Sequence, residues 1–240
     1  MSAPLRVLDL FSGIGGFSLG LERAGCQTAA FCEIDEFPRS ILTKRWPEVP
    51  CHDDVRTLSA NELVPHGGAD IGLVCGGFPC QDISNAGRRA GLDGAKSGLW
   101  SEMRRLIEEC APEHVIIENS SHGRRHWLPA VISDLGALGF EAIAMEISAH
   151  DLGFPHERRR TWVLADTCGG RLRASHEAIC ARRASSEFRP RWPSQPGVSG
   201  VADGLPRGVD RPRRRALGNA VVPLIPQVIG EAIQQARAAA

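Results

Sequence analysis

Residues Arg6–Phe17 read RVLDLFSGIGGF, and this stretch decides the fold. Its first half, Arg6–Phe11, is a short apolar run typical of a buried strand, and three glycines follow it within the next few positions. Glycines let the backbone turn tightly and approach a ligand closely. Helical spacing then runs over Phe17–Ala24 and ends before Gly25, a residue that commonly terminates helices. The stretch therefore predicts a strand, a ligand-binding turn and a helix.

The same alternation continues through the first 166 residues. Further strands are predicted at Thr28–Glu33, Ile71–Cys75, His114–Glu118, Glu141–Ser148 and Thr161–Ala165, and further helices at Leu99–Cys110 and Trp127–Leu138. Such alternation predicts an α/β fold with a mostly parallel, twisted sheet covered by helices on both faces, and ligands then gather at the carboxyl ends of the strands. From Asp166 to Arg215 no period is evident, which predicts a small irregular insertion, and a last helix is predicted at Pro223–Ala239.

Composition narrows the class of protein. With 42% apolar and 23% charged residues, the chain is predicted to be a soluble globular protein. Its eight cysteines form no CxxC pair and no zinc-ligand spacing, so we expect free thiols and no metal. The first residues lack a signal-peptide pattern and no apolar run approaches membrane-spanning length, which predicts a cytoplasmic location and no membrane partner.

The zero net charge conceals an asymmetry. Residues 1–166 carry 16 basic and 23 acidic side chains, whereas residues 167–215 carry 11 basic and 4 acidic side chains. A basic segment on an acidic body suits phosphate binding, although a solvated, arginine-rich loop would have the same composition.

An acidic residue completes the predicted ligand site. Glu33 lies 20 residues after Gly13 at the end of the second strand, where it could accept hydrogen bonds from a ribose diol. A nicotinamide-cofactor domain has this layout too, but its third glycine is replaced here by Ser18. Asp9 before the turn and Phe17 after it also suit a donor that has no pyrophosphate.

The stretch DLFSGIGGF resembles the first motif of the DNA (cytosine-5) methyltransferases, which bind S-adenosylmethionine at this turn, and GNAVVP at Gly218–Pro223 resembles their last motif, which completes the donor pocket. The resemblance implies a Rossmann-like methyltransferase fold. It also implies that Asp54-Val55 holds the adenine. The donor-binding residues implied in this way are Asp9, Phe11, Ser12, Gly13, Gly15, Gly16, Phe17, Glu33, Ile34, Asp54, Val55, Gly76, Pro79, Asn219, Ala220 and Val221.

The segment Gly76–Ser84, GGFPCQDIS, resembles the catalytic motif of the same family. Carbon 5 of cytosine is a poor nucleophile, and addition of a thiolate to carbon 6 makes the ring an enamine that can attack a sulfonium methyl group. Cys80 is therefore the predicted nucleophile, since the thiolate is the reactive form of cysteine. Free cysteines are more often buried structural residues, but Cys80 is flanked by Pro79 and Gln81 and does not resemble a core position.

Two further motifs are predicted to act on the base. Glu118 begins a Glu-Asn pair at a strand end, and in the family this glutamate contacts ring nitrogen 3 and the exocyclic amino group. Arg158 and Arg160 match the family's Gln-x-Arg-x-Arg pattern, in which the arginines contact the cytosine carbonyl oxygen and DNA phosphates, whereas His156 replaces its glutamine. Alternation along a strand predicts that Arg158 and Arg160 lie on one side, with Arg159 opposite. A surface salt bridge and a basic strand edge are the structural alternatives.

Double-stranded DNA is the predicted partner, and the target cytosine must be flipped out of the helix. Predicted DNA contacts around the catalytic loop are Gln81, Ser84, Arg88 and Arg89. Further contacts are predicted over Arg182–Arg191 and Arg207–Arg215, because the family's large recognition domain has only a short counterpart here.

The chain is thus divided into residues 1–166 for catalysis and donor binding, 167–215 as a reduced recognition region, and 216–240 as the returning C-terminal motif. This organisation resembles compact phage-type members of the family. We expect a monomer, and a cognate restriction endonuclease would fit such an enzyme. A degenerate relative that binds without turnover, a nicotinamide-dependent oxidoreductase and a tRNA methyltransferase are the alternatives.

Overall fold

The computed structural model describes residues 3–63, 71–79, 98–154, 157–184 and 211–239. The strands are β1 (Arg6–Leu10), β2 (Gln27–Cys32), β3 (Cys51–His52), β4 (Leu73–Gly76), β5 (His114–Ser120), β6 (Glu141–Ile147) and β7 (Arg160–Asp166). The helices are α1 (Gly16–Arg23), α2 (Glu36–Arg45), α3 (Leu99–Cys110), α4 (Arg124–Ala137), α5 (Gly169–Ala184), α6 (Arg211–Asn219) and α7 (Leu224–Ala238). Two short 3-10 helices cover Ala60–Leu63 and His150–Leu152.

The strands form one sheet in the order β3-β2-β1-β4-β5-β7-β6. Strands β1 to β5 pair in parallel, and β7 runs antiparallel to both β5 and β6. The chain proceeds outward from β1 to β3 and then returns to place β4 on the other side of β1, with Leu10 opposite Gly76. This reversal opens a crevice at the carboxyl ends of β1 and β4, where ligands bind in open α/β sheets. The predicted mostly parallel α/β sheet is confirmed.

Side chains that alternate along the strands belong to two apolar clusters, one on each face of the sheet. Leu8 and Leu10 of β1 belong to the cluster that includes buried residues of α3 and α4. Val7 of β1 belongs to the cluster that includes buried residues of α1, α5 and α7. The sheet is therefore covered by helices on both faces, as the alternation predicts.

Helix α3 shows why some boundaries can be read from sequence. Its fully buried residues, Trp100, Met103, Leu106 and Ile107, recur at helical spacing and point into one cluster. Ala111, in the left-handed region with φ 45°, ends the helix just before Pro112. Both predicted ends of this helix are confirmed.

The C-terminal helical stretch Pro212–Ala238 is long and apolar enough to cross a membrane by length and composition alone, and 44% of its most apolar window is buried inside the protein. In the structure, the buried face of α7 includes Ile225, Val228, Ile229 and Ile233, which join the cluster containing Leu21 of α1. This packing is that of a core helix.

The prediction of an irregular segment from Asp166 to Arg215 is wrong at both of its ends, because α5 and α6 are helices. In α5 the side chains that become buried, Leu172, Ser175 and Ile179, form a narrow stripe among arginines and small residues. So narrow a stripe gives a weak periodic signal, and its packing against α7 provides the stabilisation that local sequence does not. Helix α2 and the two-residue strand β3 were also not predicted.

Candidate active site

The turn after β1 brings its backbone to the crevice. Gly13 and Gly15 have φ values of 53° and 82°, a region that favours glycine. A Cβ atom at Gly15 would lie 2.6 Å from the ring of Trp46, so that position also requires a residue without a side chain. At Gly13, by contrast, a Cβ atom would meet nothing within 4 Å. The turn is therefore packed tightly beneath Gly15 and open above Gly13.

Asp9 supports this turn from below. Its side chain has no exposed surface, and Oδ2 accepts hydrogen bonds from the Ser18 backbone N–H at 3.2 Å and the Ser18 hydroxyl at 2.7 Å. Burial raises the pKa of Asp9 to about 7 against the opposing effect of these hydrogen bonds. The expectation that Asp9 contacts the donor is corrected, because the carboxyl group anchors the start of α1 instead.

Other residues of the predicted donor set are also inside the core. Phe17 is 2% exposed and makes an edge-to-face contact with Trp162, with ring centroids 5.5 Å apart. Val55 is 5% exposed, and a Cβ atom at Gly76 would lie only 2.7 Å from the Leu10 carbonyl oxygen. Like that of Asp9, the side chains of Phe17 and Val55 pack in the core beneath the crevice, and they leave little surface for direct ligand contact. Their motif positions reveal that they matter but not which way they face.

Glu33 lies at the crevice, where its carboxylate joins the turn after β1 to the end of β2 by hydrogen bonds. Oε2 accepts from the Gly13 N–H at 2.7 Å and Oε1 accepts from the Asp35 N–H at 2.8 Å. Because each carboxylate oxygen has two acceptor sites, each retains one for a hydroxyl group. The neighbouring Ile34 is 67% exposed, so an apolar surface lies beside this carboxylate.

The remaining predicted donor residues line the turn and the next loop. Ser12 is nearly buried and donates from its hydroxyl to the Asp9 carbonyl oxygen at 2.6 Å, while Phe11 is half-buried with φ 53°. Asp54 forms a two-pronged ion pair with Arg56, the shortest N···O distance being 2.6 Å. These hydrogen bonds lower the pKa of Asp54 to about 2, so the carboxylate stays charged.

Residues 218–223, called the C-terminal segment below, pack onto the turn after β1 and onto helix α1. A Cβ atom at Gly16 would lie 2.5 Å from the Val221 carbonyl oxygen, and one at Gly20 would collide with the Pro223 carbonyl oxygen. Asn219 ends α6 with an exposed side chain, and Ala220 and Val221 are half-buried. The segments that resemble the first and last family motifs are therefore in direct contact.

The loop that follows β4 runs along the end of β5. Phe78 is buried between Trp100 and Trp127, with ring centroids 5.5 and 5.9 Å away. Its carbonyl oxygen accepts from Asn119 Nδ2 at 3.0 Å, and the next residue, Pro79, is exposed. Asn119 is thus a site residue that the sequence argument did not include, although its place beside Glu118 was a usable signal.

Five of the predicted site residues lie outside the described part of the chain: Cys80, Gln81, Ser84, Arg88 and Arg89. His156, which stands where the family has a glutamine, lies outside it too. Pro79, the described residue that precedes Cys80, lies at the carboxyl edge of β4. Within the described ranges, no group of three or more His, Cys, Asp or Glu side chains is placed to hold a metal ion.

Glu118 faces this loop from the end of β5. Its Oε1 pairs with Arg160 Nε at 2.9 Å, and its Oε2 would lie 3.0 Å from a Cβ atom at Gly77. Burial raises the pKa of Glu118 above its ordinary value, against the opposing charges of Arg160 and Arg158. The site therefore holds a carboxyl group that takes up a proton more readily than an exposed glutamate does.

Arg158 does not share the side of Arg160 in the way that strand alternation predicts. It precedes β7 and has φ 32°, so the alternating geometry does not apply to it. Its Nη1 donates to the Gly218 carbonyl oxygen at 2.9 Å and its Nη2 donates to that of Ala220 at 2.5 Å. The structure brings Glu118 and Arg160 together and directs Arg158 toward the C-terminal segment.

Part of the arginine-rich region predicted to contact DNA is described. Arg182 and Arg183 of α5 pair with Glu231 at 3.6 Å and Asp151 at 2.7 Å, which are contacts within the fold. Arg213, Arg214 and Arg215 of α6 are exposed, although Arg215 lies 3.4 Å from Asp35. Of the described arginines in this region, Arg215 is the one that an ion-pair contact places near the turn after β1, beside Asp35.

Comparison with known proteins gives consistent results. A family profile described as C-5 cytosine-specific DNA methylase matches residues 5–178. The type II methyltransferase M2.BsuMI of Bacillus subtilis is 37% identical over 169 residues, which cover 67% of this chain and 42% of that protein. The type II methyltransferase M.HhaI of Haemophilus parahaemolyticus is 29% identical over 164 residues, or 67% of this chain and 48% of that protein. The chain spans half or less of the length of these curated relatives.

Solved structures give the same fold. A putative DNA modification methyltransferase encoded within a prophage of E. coli has 25% identity and a TM-score of 0.56, covering 68% of this chain and 46% of that one. The Dnmt2 methyltransferase of S. pombe has 23% identity and a TM-score of 0.54, covering 68% of this chain and 49% of that one. With the family profile matching most of its length, the chain belongs to the C-5 cytosine-specific DNA methylase family.

Proposed function

We propose that this chain transfers a methyl group from S-adenosylmethionine to carbon 5 of cytosine in double-stranded DNA, through a transient covalent bond between Cys80 and a flipped base. The activity is that of a DNA (cytosine-5-)-methyltransferase. One observation carries the proposal: Glu118, paired with Arg160, lies beside Gly77, three residues before Cys80, where a Cβ atom would be 3.0 Å from its Oε2, and this is the same sheet edge as the Gly13–Glu33 turn. A donor and a base held at these two places would be neighbours.

The turn between β1 and α1, residues 11–15, is called the donor turn below. The residues around it fit the methyl donor, which members of this family use. Gly13 has open space above it, and Glu33 retains an acceptor site on each carboxylate oxygen for a ribose diol. Ile34 offers an exposed apolar surface for an adenine ring. S-adenosylmethionine would supply an electrophilic methyl group here. The protein's own part is to bind and orient that molecule.

The proposed chemistry at the cytosine ring runs through Cys80 and Glu118. The Cys80 thiolate adds to carbon 6, and the carbon 5–carbon 6 π electrons then attack the methyl group, whose sulfur leaves with the bonding pair. A base removes the proton from carbon 5, and expulsion of the thiolate restores the ring. Glu118, whose carboxyl group is readily protonated, would hydrogen-bond nitrogen 3 and withdraw electron density from the ring during the addition. Arg160 would hold that carboxyl group in place.

DNA is the proposed substrate, and a cytoplasmic location goes with it. Arg215 of α6 lies 3.4 Å from Asp35, whose backbone N–H donates to Glu33 beside the donor turn, and Arg213 and Arg214 are exposed on the same helix. Phosphate contacts from this helix would position a duplex over the carboxyl edge of the sheet.

A methyl-transfer assay tests the proposal. We expect the wild-type protein to move tritiated methyl groups from the donor to DNA, and Cys80→Ser to lose transfer while it still binds the donor. Cys180→Ser is the matched control, because Cys180 is an exposed thiol on α5 and is predicted to be dispensable. Full transfer by Cys80→Ser would refute the role of the thiol.

The same assay separates the alternatives. Donor and DNA binding without any transfer would indicate a degenerate family member, and preferential labelling of tRNA in a competition with DNA would indicate an RNA substrate. Stabilisation by a nicotinamide cofactor but not by S-adenosylmethionine, measured as a thermal shift, would indicate an oxidoreductase.

A further inference from the structure

Arg158 has a backbone conformation that arginine rarely adopts. Its φ of 32° lies in the left-handed region, where a side chain crowds the backbone. Strained positions of this kind persist only where surrounding contacts hold them. The contacts made by the Arg158 side chain therefore call for a functional explanation.

Those contacts reach across some 60 residues of sequence. The half-buried guanidinium group donates to the carbonyl oxygens of Gly218 and Ala220, at 2.9 and 2.5 Å, and so holds the backbone on both sides of Asn219. A charged donor makes stronger hydrogen bonds than a neutral one, and the planar guanidinium can serve two acceptors at once.

The segment held in this way lies against the first residue of α1, directly after the donor turn. Val221 follows directly after the two acceptor residues, and its carbonyl oxygen would lie 2.5 Å from a Cβ atom on Gly16. Arg158 thus hydrogen-bonds a segment that also lies against the start of α1. The segment has no strand partner in the described residues that would fix it instead.

The neighbouring arginine of the motif faces a different group. Arg160, two residues further on, pairs with Glu118 at 2.9 Å beside the loop that leads to Cys80. The two arginines therefore divide the site between them. Arg160 pairs with the Glu118 carboxyl group beside the loop that leads to Cys80. Arg158 donates hydrogen bonds to the C-terminal segment beside the donor turn.

We propose that Arg158 is a positioning residue for the methyl donor: by bridging the Gly218 and Ala220 carbonyl groups, it holds the C-terminal segment against the donor turn and so sets the affinity for S-adenosylmethionine. The inference rests on the proposed function, because it assigns the donor to that turn. It differs from the expectation that both arginines of the motif contact the base or the DNA.

Donor binding measured without DNA tests this assignment. Isothermal titration should show a dissociation constant for S-adenosylmethionine at least about tenfold higher in Arg158→Ala than in the wild-type protein. Arg158→Lys should lie between the two, since an ammonium group keeps the charge but cannot span both carbonyl groups. Arg159→Ala is the matched control, because Arg159 is exposed and the hydrogen bonds to the segment come from Arg158. It should bind the donor as the wild type does.

Steady-state rates add a readout that simple loss of folding would not move. In Arg158→Lys we expect a raised KM for the donor and, at saturating donor and DNA, a kcat within about threefold of wild type. Unchanged donor affinity together with a fall in kcat or in DNA affinity would overturn the proposal and support a base or DNA contact.

Amide hydrogen exchange on donor-free protein keeps the test independent of the proposed function. Arg158→Ala or Arg158→Lys should speed exchange at residues 219–222 and leave that of β5 unchanged. Equal exchange in mutant and wild type would refute the clamp, that is, the holding of the C-terminal segment by Arg158. A wild-type protein that binds no S-adenosylmethionine, but whose residues 219–222 are protected by Arg158, would refute the proposed function and leave the clamp standing.

Discussion

Asp9 shows at the scale of one residue how a motif position can act without touching a ligand. Its pKa is raised to about 7 in the folded protein, whereas an unfolded aspartate has a pKa near 3.8. Between these values the folded state binds more protons than the unfolded state, so the free energy of unfolding falls as pH rises from about 4 to about 7. The loss across this range is on the order of 3 kcal/mol.

Asp9→Asn should remove this part of the pH dependence, because the amide keeps the shape and the acceptor for Ser18 but does not titrate. Urea unfolding of both proteins at pH 5 and pH 7.5 checks it. Other titrating groups are the same in both proteins, so their effects cancel in the comparison. An equally steep loss of stability in the variant would show that Asp9 is already charged throughout this range.

Glu118 is the residue for which the raised pKa bears on activity. If its protonated carboxyl group assists the addition, kcat/KM should fall as pH rises through the pKa of Glu118 in the free protein. Glu118→Gln should lower kcat/KM by about 100-fold or more and abolish that alkaline decline. Arg160→Gln removes an opposing positive charge, so it should move the decline to higher pH while also lowering the rate.

Arg159→Gln is the control for this experiment, since Arg159 is exposed and forms no ion pair with Glu118 in the described residues, so the change should leave the decline where it is. A decline at the wild-type pH in Glu118→Gln would assign the titration to another group.

At the scale of elements, the close approach of α1 to the C-terminal segment can be tested with one pair of glycines. A Cβ atom at Gly20 would collide with the Pro223 carbonyl oxygen and lie 2.7 Å from Pro226, so Gly20→Ala should destabilise the protein by about 1–3 kcal/mol. The same change at Gly136 in α4 meets nothing within 4 Å and should stabilise by about 0.5–1 kcal/mol. Urea denaturation of the two variants should give shifts of opposite sign, and a tolerated Gly20→Ala would contradict the packing.

Helix α6 carries the prediction for DNA. Neutralising Arg213 and Arg214 together, as Arg213→Gln with Arg214→Gln, should weaken DNA binding and reduce the slope of log K against log salt concentration by about 0.9 for each lost phosphate contact. Arg23→Gln is the matched control, because this exposed arginine lies at the end of α1 away from the crevice. Equal salt slopes in all three proteins would remove α6 from the DNA interface.

The elements also show what sequence can and cannot predict. Helix α3 was predictable to the residue because its wide apolar face is periodic and Pro112 follows its end. Strand β3 has only two residues, and α5 buries only a narrow stripe, so both depend on neighbours that a local pattern does not contain. In the site, the residue types at Glu33 and Glu118 were informative because their chemistry is specific. The directions of Asp9 and Arg158 were not, because they are set by α1 and by a segment about 60 residues away.

At the scale of the whole molecule, the sheet order explains why motifs far apart in sequence share one crevice. The return of the chain from β3 to β4 places the end of β4 beside the end of β1, and β5 follows next to β4. The donor turn, Glu118 and the loop that leads to Cys80 are therefore neighbours at the carboxyl edge of the sheet. The division into residues 1–166, 167–215 and 216–240 stays a prediction, and α5 packs with α7 as part of the same core.

The most direct test of the account is a covalent trap on DNA that contains 5-fluorocytosine, which cannot lose a proton from carbon 5. With S-adenosylmethionine present, we predict a complex that survives denaturation, with mass spectrometry locating the methylated fluorocytosine on the peptide that contains Cys80. Absence of any adduct, while donor and DNA are both shown to be bound, would contradict the central claim that this thiol bonds to an extruded cytosine.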